Sequence, residues 1–259
     1  MIILIKWFLY FIIYSFIGWL YESILCSINE KKWVNRGFLN GPLCPVYGFG
    51  ALSVLFLLNQ RVNNVFTLFF VSMIVTSLLE YITSFLLEKL FHAKWWDYSH
   101  YRFNIQGRIS LIGAIVFGGL SVLLIKIIHP LTSDLLKVLS NTTMYISSIS
   151  IFIILILDLS ITLNYLFSLE GKLKEIQLVF NTFKTQYLKR VDELKDTLIE
   201  RFEESELYIE YIKKLNYLNK FQGVRLVRAF PKLTLQKYNE SWQKLKKILV
   251  DKTKKKNYK

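Results

Sequence analysis

The sequence has 259 residues, is 53% hydrophobic and 16% aromatic, and carries a formal net charge of +14. A mean hydropathy of +0.34 together with this charge excludes one uniform domain. Residues 170–259 hold 22 of the 33 Lys and Arg and 12 of the 19 Asp and Glu, and residues 1–169 hold the remaining 11 and 7. We therefore predict an all-α protein with a transmembrane helical domain over 1–168 and a charged cytoplasmic helical tail over 169–259.

The cysteines and the N-terminus indicate the setting of the first part. Cys26 and Cys44 are too few for a disulfide framework, which favours a reduced or intramembrane environment. The first apolar run contains one lysine, Lys6, and no small-residue cleavage site follows it. We therefore predict an uncleaved first span and not a signal peptide.

Five apolar segments follow one another in the first part, and each is long enough for a membrane crossing. They are 2–28, 43–58, 65–87, 109–128 and 143–168. The second is the shortest and is a candidate re-entrant or strongly tilted element. This pattern predicts a polytopic membrane helical bundle of about five spans.

Loop charge predicts the orientation of these spans. The loops after the first and third segments contain seven Lys and Arg residues, and the opposite side contains four. Because short cytoplasmic loops carry the excess of basic residues, we predict a multi-pass protein of the cell membrane. Its N-terminus is expected outside and its tail in the cytoplasm.

The first loop has the most unusual composition in the chain. Residues 36–50 read RGFLNGPLCPVYGFG, with four glycines and two prolines. Glycine allows close backbone approach, and proline fixes φ and removes a donor. We predict a backbone of defined shape that dips toward the membrane, where protein or water must satisfy its polar groups.

The second loop, residues 92–108, reads HAKWWDYSHYRFNIQGR and allows two interpretations. Its aromatic residues Trp95, Trp96, Tyr98 and Tyr101 suit a belt at the lipid headgroups above a solvated basic loop. Alternatively, the loop is a lid over a polar site. In that case Asp97, Arg102, Asn104 and Arg108 are the residues that face the site.

Three acids lie inside apolar runs, where a charge is costly and usually faces a cavity or a partner. Glu22, Glu80 and Asp158 lie about 9, 11 and 15 Å from the cytoplasmic ends of their spans. We expect them beneath the two loops, with Arg36 and Arg108 as partners. Ion pairs that only hold the helices together are the alternative. The candidate cavity or ligand residues are Glu22, Arg36, Asn40, Glu80, Asp97, Asn104, Arg108 and Asp158.

The tail shows a helical apolar stripe that begins at Leu169 and Leu173 and continues past residue 200. Steps of mostly three and four residues predict a long helix. Gly223 is expected to end or bend it, and Pro231 to start a second helix. A helical hairpin within the chain, or a coiled coil in a homo-oligomer, would bury the stripe.

Several functional classes lack their motifs. There is no G-x-x-x-x-G-K-[ST], so any ATPase would be a separate subunit. No hydrolase motif and no cysteine–histidine cluster with zinc spacing occurs, and we predict no catalytic residue, cofactor or metal site. The tail contains no recognisable nucleic-acid-binding module, so we expect the lipid bilayer and not nucleic acid as the partner.

The motifs around Glu22 (GWLYES), at 36–50, at Glu80 and at 95–111 (WWDYS…RFNIQGRISL) carry a family resemblance. Over residues 1–165 the chain resembles the CmpB-like bacterial membrane proteins, the ABC-transporter type IV permeases. The resemblance implies a membrane permease subunit and transfers no catalytic residues. Its motif positions in this chain are Glu22, Arg36, Gly37, Asn40, Gly41, Pro42, Glu80, Trp96, Asp97, Tyr98, Asn104, Gly107 and Arg108.

Three functions stay open at this point. The first is a transport subunit with a polar cavity at the cytoplasmic leaflet. The second is a membrane-embedded enzyme for a lipid or isoprenoid phosphate, with Arg36, Arg102 and Arg108 holding the phosphate and Glu22 or Asp97 as base. The third is a membrane anchor or scaffold for the helical tail.

Overall fold

The computed structural model describes residues 1–188, 221–235, 239, 242 and 243. This part of the chain is mainly helical, which confirms the all-α prediction. Its helices are α1 Ile2–Glu30, α2 Pro45–Leu58, α3 Val65–Phe91, α4 Leu111–Leu123, a π-helical turn Leu124–Ile128, α5 His129–Val138, α6 Asn141–Leu188 and α7 Phe221–Ala229. Two short antiparallel ribbons join β1 Ala93–Lys94 to β4 Thr234–Leu235, and β2 Asn104–Ile105 to β3 Ile109–Ser110.

Four helical runs in the described chain are long and apolar enough to cross a membrane: Ile2–Glu30, Val65–Phe91, Leu111–Val138 and Asn141–Glu175. Large apolar side chains lie exposed along them, for example Ile74 with 64% and Ile154 with 65% exposure. Contact with lipid explains such extensive exposed apolar surface. Helix α2 has 14 residues, or about 21 Å, and is shorter than the hydrocarbon core of about 30 Å.

The run Leu111–Val138 extends beyond the end predicted at residue 128. Pro130 lacks an N–H and would normally break a helix by clashing with the carbonyl four residues earlier. Here the π-helical turn Leu124–Ile128 comes directly before α5 and changes the hydrogen-bond spacing ahead of the proline. The helix therefore continues past Pro130, beyond the apolar segment 109–128.

The segment between α1 and α2 runs back along α1 instead of staying at its end. Three of its backbone N–H groups donate to oxygens at successively earlier positions of α1: Val34 to Ser27 Oγ (2.9 Å), Arg36 to Ser23 Oγ (3.1 Å) and Cys44 to the Ser15 carbonyl (2.9 Å). Ser15 lies about 22 Å along the axis from Glu30. Helix α2 therefore begins at about the middle of α1, as expected for a loop that dips toward the membrane.

Two glycines permit the close approach of α1 and α2. A Cβ atom at Gly18 would overlap the ring of Tyr47, and one at Gly48 would overlap Ser15 Oγ and the ring of Phe11. The two helices touch along these positions, so any side chain larger than hydrogen would push them apart.

The C-terminal return segment, residues 221–235, comes back to the two loops. A hydrophobic cluster joins Trp95 of the second loop, Leu173 of α6 and Leu226, Phe230 and Leu233 of the return segment. β4 pairs with β1, next to this cluster. The return segment therefore covers the end of the bundle where both loops lie.

The expected positions of the tail breaks are wrong. Helix α7 contains Gly223, and the chain turns at Pro231 before β4 instead of starting a helix there. The described apolar stripe reaches Leu173, which is fully buried in the cluster. The predicted coiled coil or hairpin depends on residues 189–220, which lie outside the described residues.

Candidate functional site

A cavity of about 340 Å³ lies between α1, α2, α3 and the α4–π-turn run. Tyr98 of the second loop and Phe230 of the return segment also line it. Its volume is at the lower end of the range for ligand pockets. The charged residues among its described lining are Glu22, Arg36 and Glu80.

Glu22 and Arg36 form an ion pair at one side of the cavity. Arg36 Nε lies 3.5 Å from Glu22 Oε2, and the Tyr47 hydroxyl donates to Glu22 Oε1 at 2.7 Å. The Arg36 guanidinium also lies 4.8 Å from the centre of the Phe230 ring and donates to the Ala229 carbonyl. This pair was expected from the sequence, and it neutralises both charges.

Glu80 is the second carboxylate of the cavity, and it is only 7% exposed. The Tyr98 hydroxyl donates to its Oε1 at 3.2 Å. Its Oε2 has no hydrogen-bond partner among the described residues. Glu80 is therefore a buried carboxyl group of the cavity that no described cation neutralises.

Asp158 and Asn40 lie in a separate network that holds the first loop. Asp158 Oδ1 accepts from the backbone N–H (3.0 Å) and the side-chain amide (2.9 Å) of Asn40, and Oδ2 accepts from the Gly41 N–H at 2.7 Å. The Asn40 amide also donates to Thr162 at 2.9 Å. Neither Asn40 nor Asp158 lines the cavity. These contacts provide acceptors for two backbone N–H groups of the first loop.

Arg225 of α7 binds the same loop through its carbonyl groups. Its guanidinium donates to the carbonyls of Gly37 (2.8 Å), Phe38 (3.2 Å) and Leu39 (2.9 Å). Burial lowers the pKa of Arg225, and the negative charge of Asp158 partly opposes this effect. The arginine is therefore a structural donor that closes the loop from the tail side.

Arg108 pairs with an acid that the sequence analysis did not select. Its guanidinium lies 2.8 Å from Glu88 and 3.2 Å from the Tyr81 hydroxyl. Glu88 lies about 12 Å beyond Glu80 along α3, closer to the second loop. The expected pairing of Arg108 with one of the three intramembrane acids is therefore wrong, and Arg108 is not part of the cavity lining.

Asp97 and Asn104 shape the second loop. Asp97 accepts the Ser99 N–H at 2.9 Å, and this hydrogen bond lowers the pKa of its carboxyl group. Asn104 accepts the Gly107 N–H at 2.9 Å and donates to the Tyr101 carbonyl at 2.7 Å. Gly107 has a φ of +69°, a conformation that favours glycine. Both side chains are satisfied locally, outside the cavity.

The second loop does not form a simple aromatic belt. Trp95 is 4% exposed, and its ring centre lies 5.2 Å from that of Phe38 in the first loop. The Trp96 indole donates to the Arg108 carbonyl at 2.9 Å and lines the cavity. These contacts bring both loops together at one end of the bundle, as the sequence predicted.

Comparison with known proteins identifies the family. The family described as "Putative ABC-transporter type IV" matches residues 9–163. The chain belongs to this family. No curated protein and no solved structure matches the chain.

The ABC-transporter type IV match covers both loops and all three charged cavity residues, but not the return segment. The sequence analysis missed the cavity contribution of Tyr47 and Phe230 and the role of Arg225. Tyr47 stands in the glycine-rich loop motif, where an aromatic residue beside Gly48 was the available signal. Phe230 and Arg225 act across more than 180 residues of sequence, and no local pattern indicated them.

Proposed function

We propose that this ABC-transporter-type membrane protein is the permease subunit of a transport system, with the cavity as part of the substrate path. The supporting observation is that Glu22, Arg36 and Glu80 line one cavity inside an apolar bundle. Charged groups at such depth are costly, and they are characteristic of substrate and ion pathways.

The position of the loops supports a cavity at one membrane face. Both loops lie at the same end of the bundle, where Phe38 contacts Trp95. In the orientation predicted from loop charge, this end faces the cytoplasm. Substrate would then enter the cavity beneath the glycine-rich first loop and Tyr98 of the second loop.

The proposal includes a separate ATPase subunit, because the sequence contains no P-loop motif. It also includes a homo-oligomer. A bundle with so few spanning helices forms a substrate path across the membrane more readily when two copies line that path. The membrane domain 1–168 would bind substrate, and the tail 169–259 would join the subunits.

The other two functions receive less support. Only Arg36 of the three candidate phosphate-binding arginines lines the cavity, and it is paired with Glu22. The return segment of the tail packs on the two loops. This contact links the tail to the cavity and favours a joint role over simple anchoring.

The test compares cells that lack the gene with cells that carry it as wild type, Glu80→Gln or Glu30→Gln. Labelled solutes of different charge are supplied, and ATP-dependent accumulation or export is measured. We expect a solute whose flux requires the wild-type gene and falls at least about tenfold with Glu80→Gln. Glu30 is exposed at the end of α1, so its variant makes the same change of charge outside the cavity. A flux unchanged by Glu80→Gln would contradict the proposed path.

A further inference from the structure

Glu80 is the carboxyl group of the cavity that lacks a described counterion. The cavity lining has two carboxylates and one guanidinium, and the guanidinium lies against Glu22. Only 7% of Glu80 is exposed, and one of its oxygens has no described partner. A buried carboxylate in this situation requires a cation or a proton.

The walls of the cavity suit an organic cation. Aromatic rings surround the same space: Tyr21, Tyr47, Trp96, Tyr98, Phe117 and Phe230. Aromatic faces attract cations, and several rings around one site recognise ammonium groups. Arg36 already shows such a contact in this cavity with the Phe230 ring.

Other ligand classes fit less well. A hard metal ion such as Ca²⁺ prefers six or more oxygen ligands, and the described residues contain no group of three His, Cys, Asp or Glu that could hold a metal. An anion would need an unpaired cation, and Arg36 is paired with Glu22. Apart from a proton, the remaining class is a small organic molecule with one positive charge and apolar substituents.

We propose that the cavity binds a small monovalent organic cation, a protonated or quaternary amine, through Glu80 and the surrounding aromatic rings. This inference rests on the proposed function, since it names the substrate class of the same cavity. The ammonium group pairs with the Glu80 carboxylate, and its alkyl groups contact the rings. The Tyr98 hydroxyl donates to Oε1, and Oε2 is buried without a described hydrogen-bond partner, so the carboxylate lacks a described counterion.

The experiment measures equilibrium binding to the full-length protein in lipid nanodiscs. Choline and benzyltrimethylammonium are the cationic probes, and 3,3-dimethylbutan-1-ol is the neutral molecule with the shape of choline. We expect saturable binding of a cationic probe that exceeds that of the neutral alcohol by at least about tenfold. Failure of both cations to bind, or binding of the alcohol as strong as that of the tighter-binding cation, would overturn the proposal.

Variants then assign the binding to Glu80. Glu80→Gln is expected to weaken cation binding at least about thirtyfold, while Glu80→Asp and Glu30→Gln keep it within about threefold. Unchanged binding in a folded Glu80→Gln protein would refute the assignment. If that variant does not fold, the comparison of the tighter-binding cation with the alcohol on wild type decides alone.

The outcomes also separate this inference from the proposed function. Cation binding without any gene-dependent flux would contradict transport and retain the site. Flux of a neutral or anionic solute that depends on Glu80, with no cation binding, would retain transport and reject the cation class.

Discussion

Arg225 and Asp158 hold the same five-residue stretch, 37–41, by opposite backbone groups. Arg225 donates to three consecutive carbonyls, and Asp158 accepts the next two N–H groups. The two residues come from α7 and α6, so the tail and the last apolar run meet on the first loop. Backbone at membrane depth needs such partners, because lipid provides none.

Replacing Arg225 by alanine should destabilise the protein strongly. Three buried carbonyls would lose their donor, at a cost of roughly 3 kcal/mol in unfolding free energy. Thermal unfolding in detergent would measure the change. Arg228→Ala is the matched control, because Arg228 lies exposed on the same helix and its loss should shift the midpoint little. Equal effects of the two variants would show that the loop contacts carry no special stability.

Asp158→Asn should also destabilise the first loop, although it changes few atoms. The backbone N–H groups of Asn40 and Gly41 bind different oxygens of Asp158. An amide has one oxygen and one NH₂ group, so the N–H group that faces the NH₂ group would lose its acceptor. The expected cost is about 1–3 kcal/mol in unfolding free energy, measured by the same thermal unfolding. Asp134→Asn is the control, since Asp134 lies on the surface with Lys137 as its partner.

The double variant of Arg225 and Asp158 tests whether the two residues act on one unit. Because both satisfy the stretch 37–41, the second substitution should cost clearly less once the first has released the loop. Additive effects within about 0.5 kcal/mol would instead indicate independent sites.

Alanine at Gly18 or Gly48 should separate α1 from α2. The added methyl group would overlap Tyr47 in the first case and Ser15 in the second, and overpacking of this kind costs about 1–3 kcal/mol. Gly50→Ala provides the contrast, because nothing lies within 4 Å of the place that its methyl group would occupy. A helix usually gains stability from this exchange. Equal melting temperatures for all three variants would refute the close contact.

Arg108 offers a test of the corrected site. Arg108→Gln should destabilise the second loop by removing its contacts with Glu88 and Tyr81. At a temperature where the variant is folded, it should bind the cationic probes as wild type does. A loss of binding as large as that of Glu80→Gln would place Arg108 in the cavity after all.

The sequence was sufficient for the general architecture and for part of the cavity. Long apolar runs predicted the helices, and the cost of burying a charge drew attention to Glu22 and Glu80. The density of glycine and proline between residues 36 and 50 predicted the dipping loop, since few other structures require both residue types together.

The remaining features depend on contacts that no local pattern contains. Arg108 pairs with Glu88 and not with Glu80 because of the β2–β3 turn. The hydrophobic periodicity of the sequence does not define the geometry of this turn. The continuation of the helix past Pro130 depends on the π-helical turn before it, which no local pattern indicates. Asp158 was assigned to the cavity from its depth in the helix. Depth alone does not reveal the direction of a side chain.

The return of α7 to the first loop has a consequence for biosynthesis. Ribosomes complete residues 31–44 long before Asp158 and Arg225 exist, so the nascent loop lacks these two side chains as partners of stretch 37–41. The final hydrogen bonding of this stretch must therefore wait until residue 225 has been made. A chain that stops before residue 225 would contain the first loop without the guanidinium donor of three of its carbonyls.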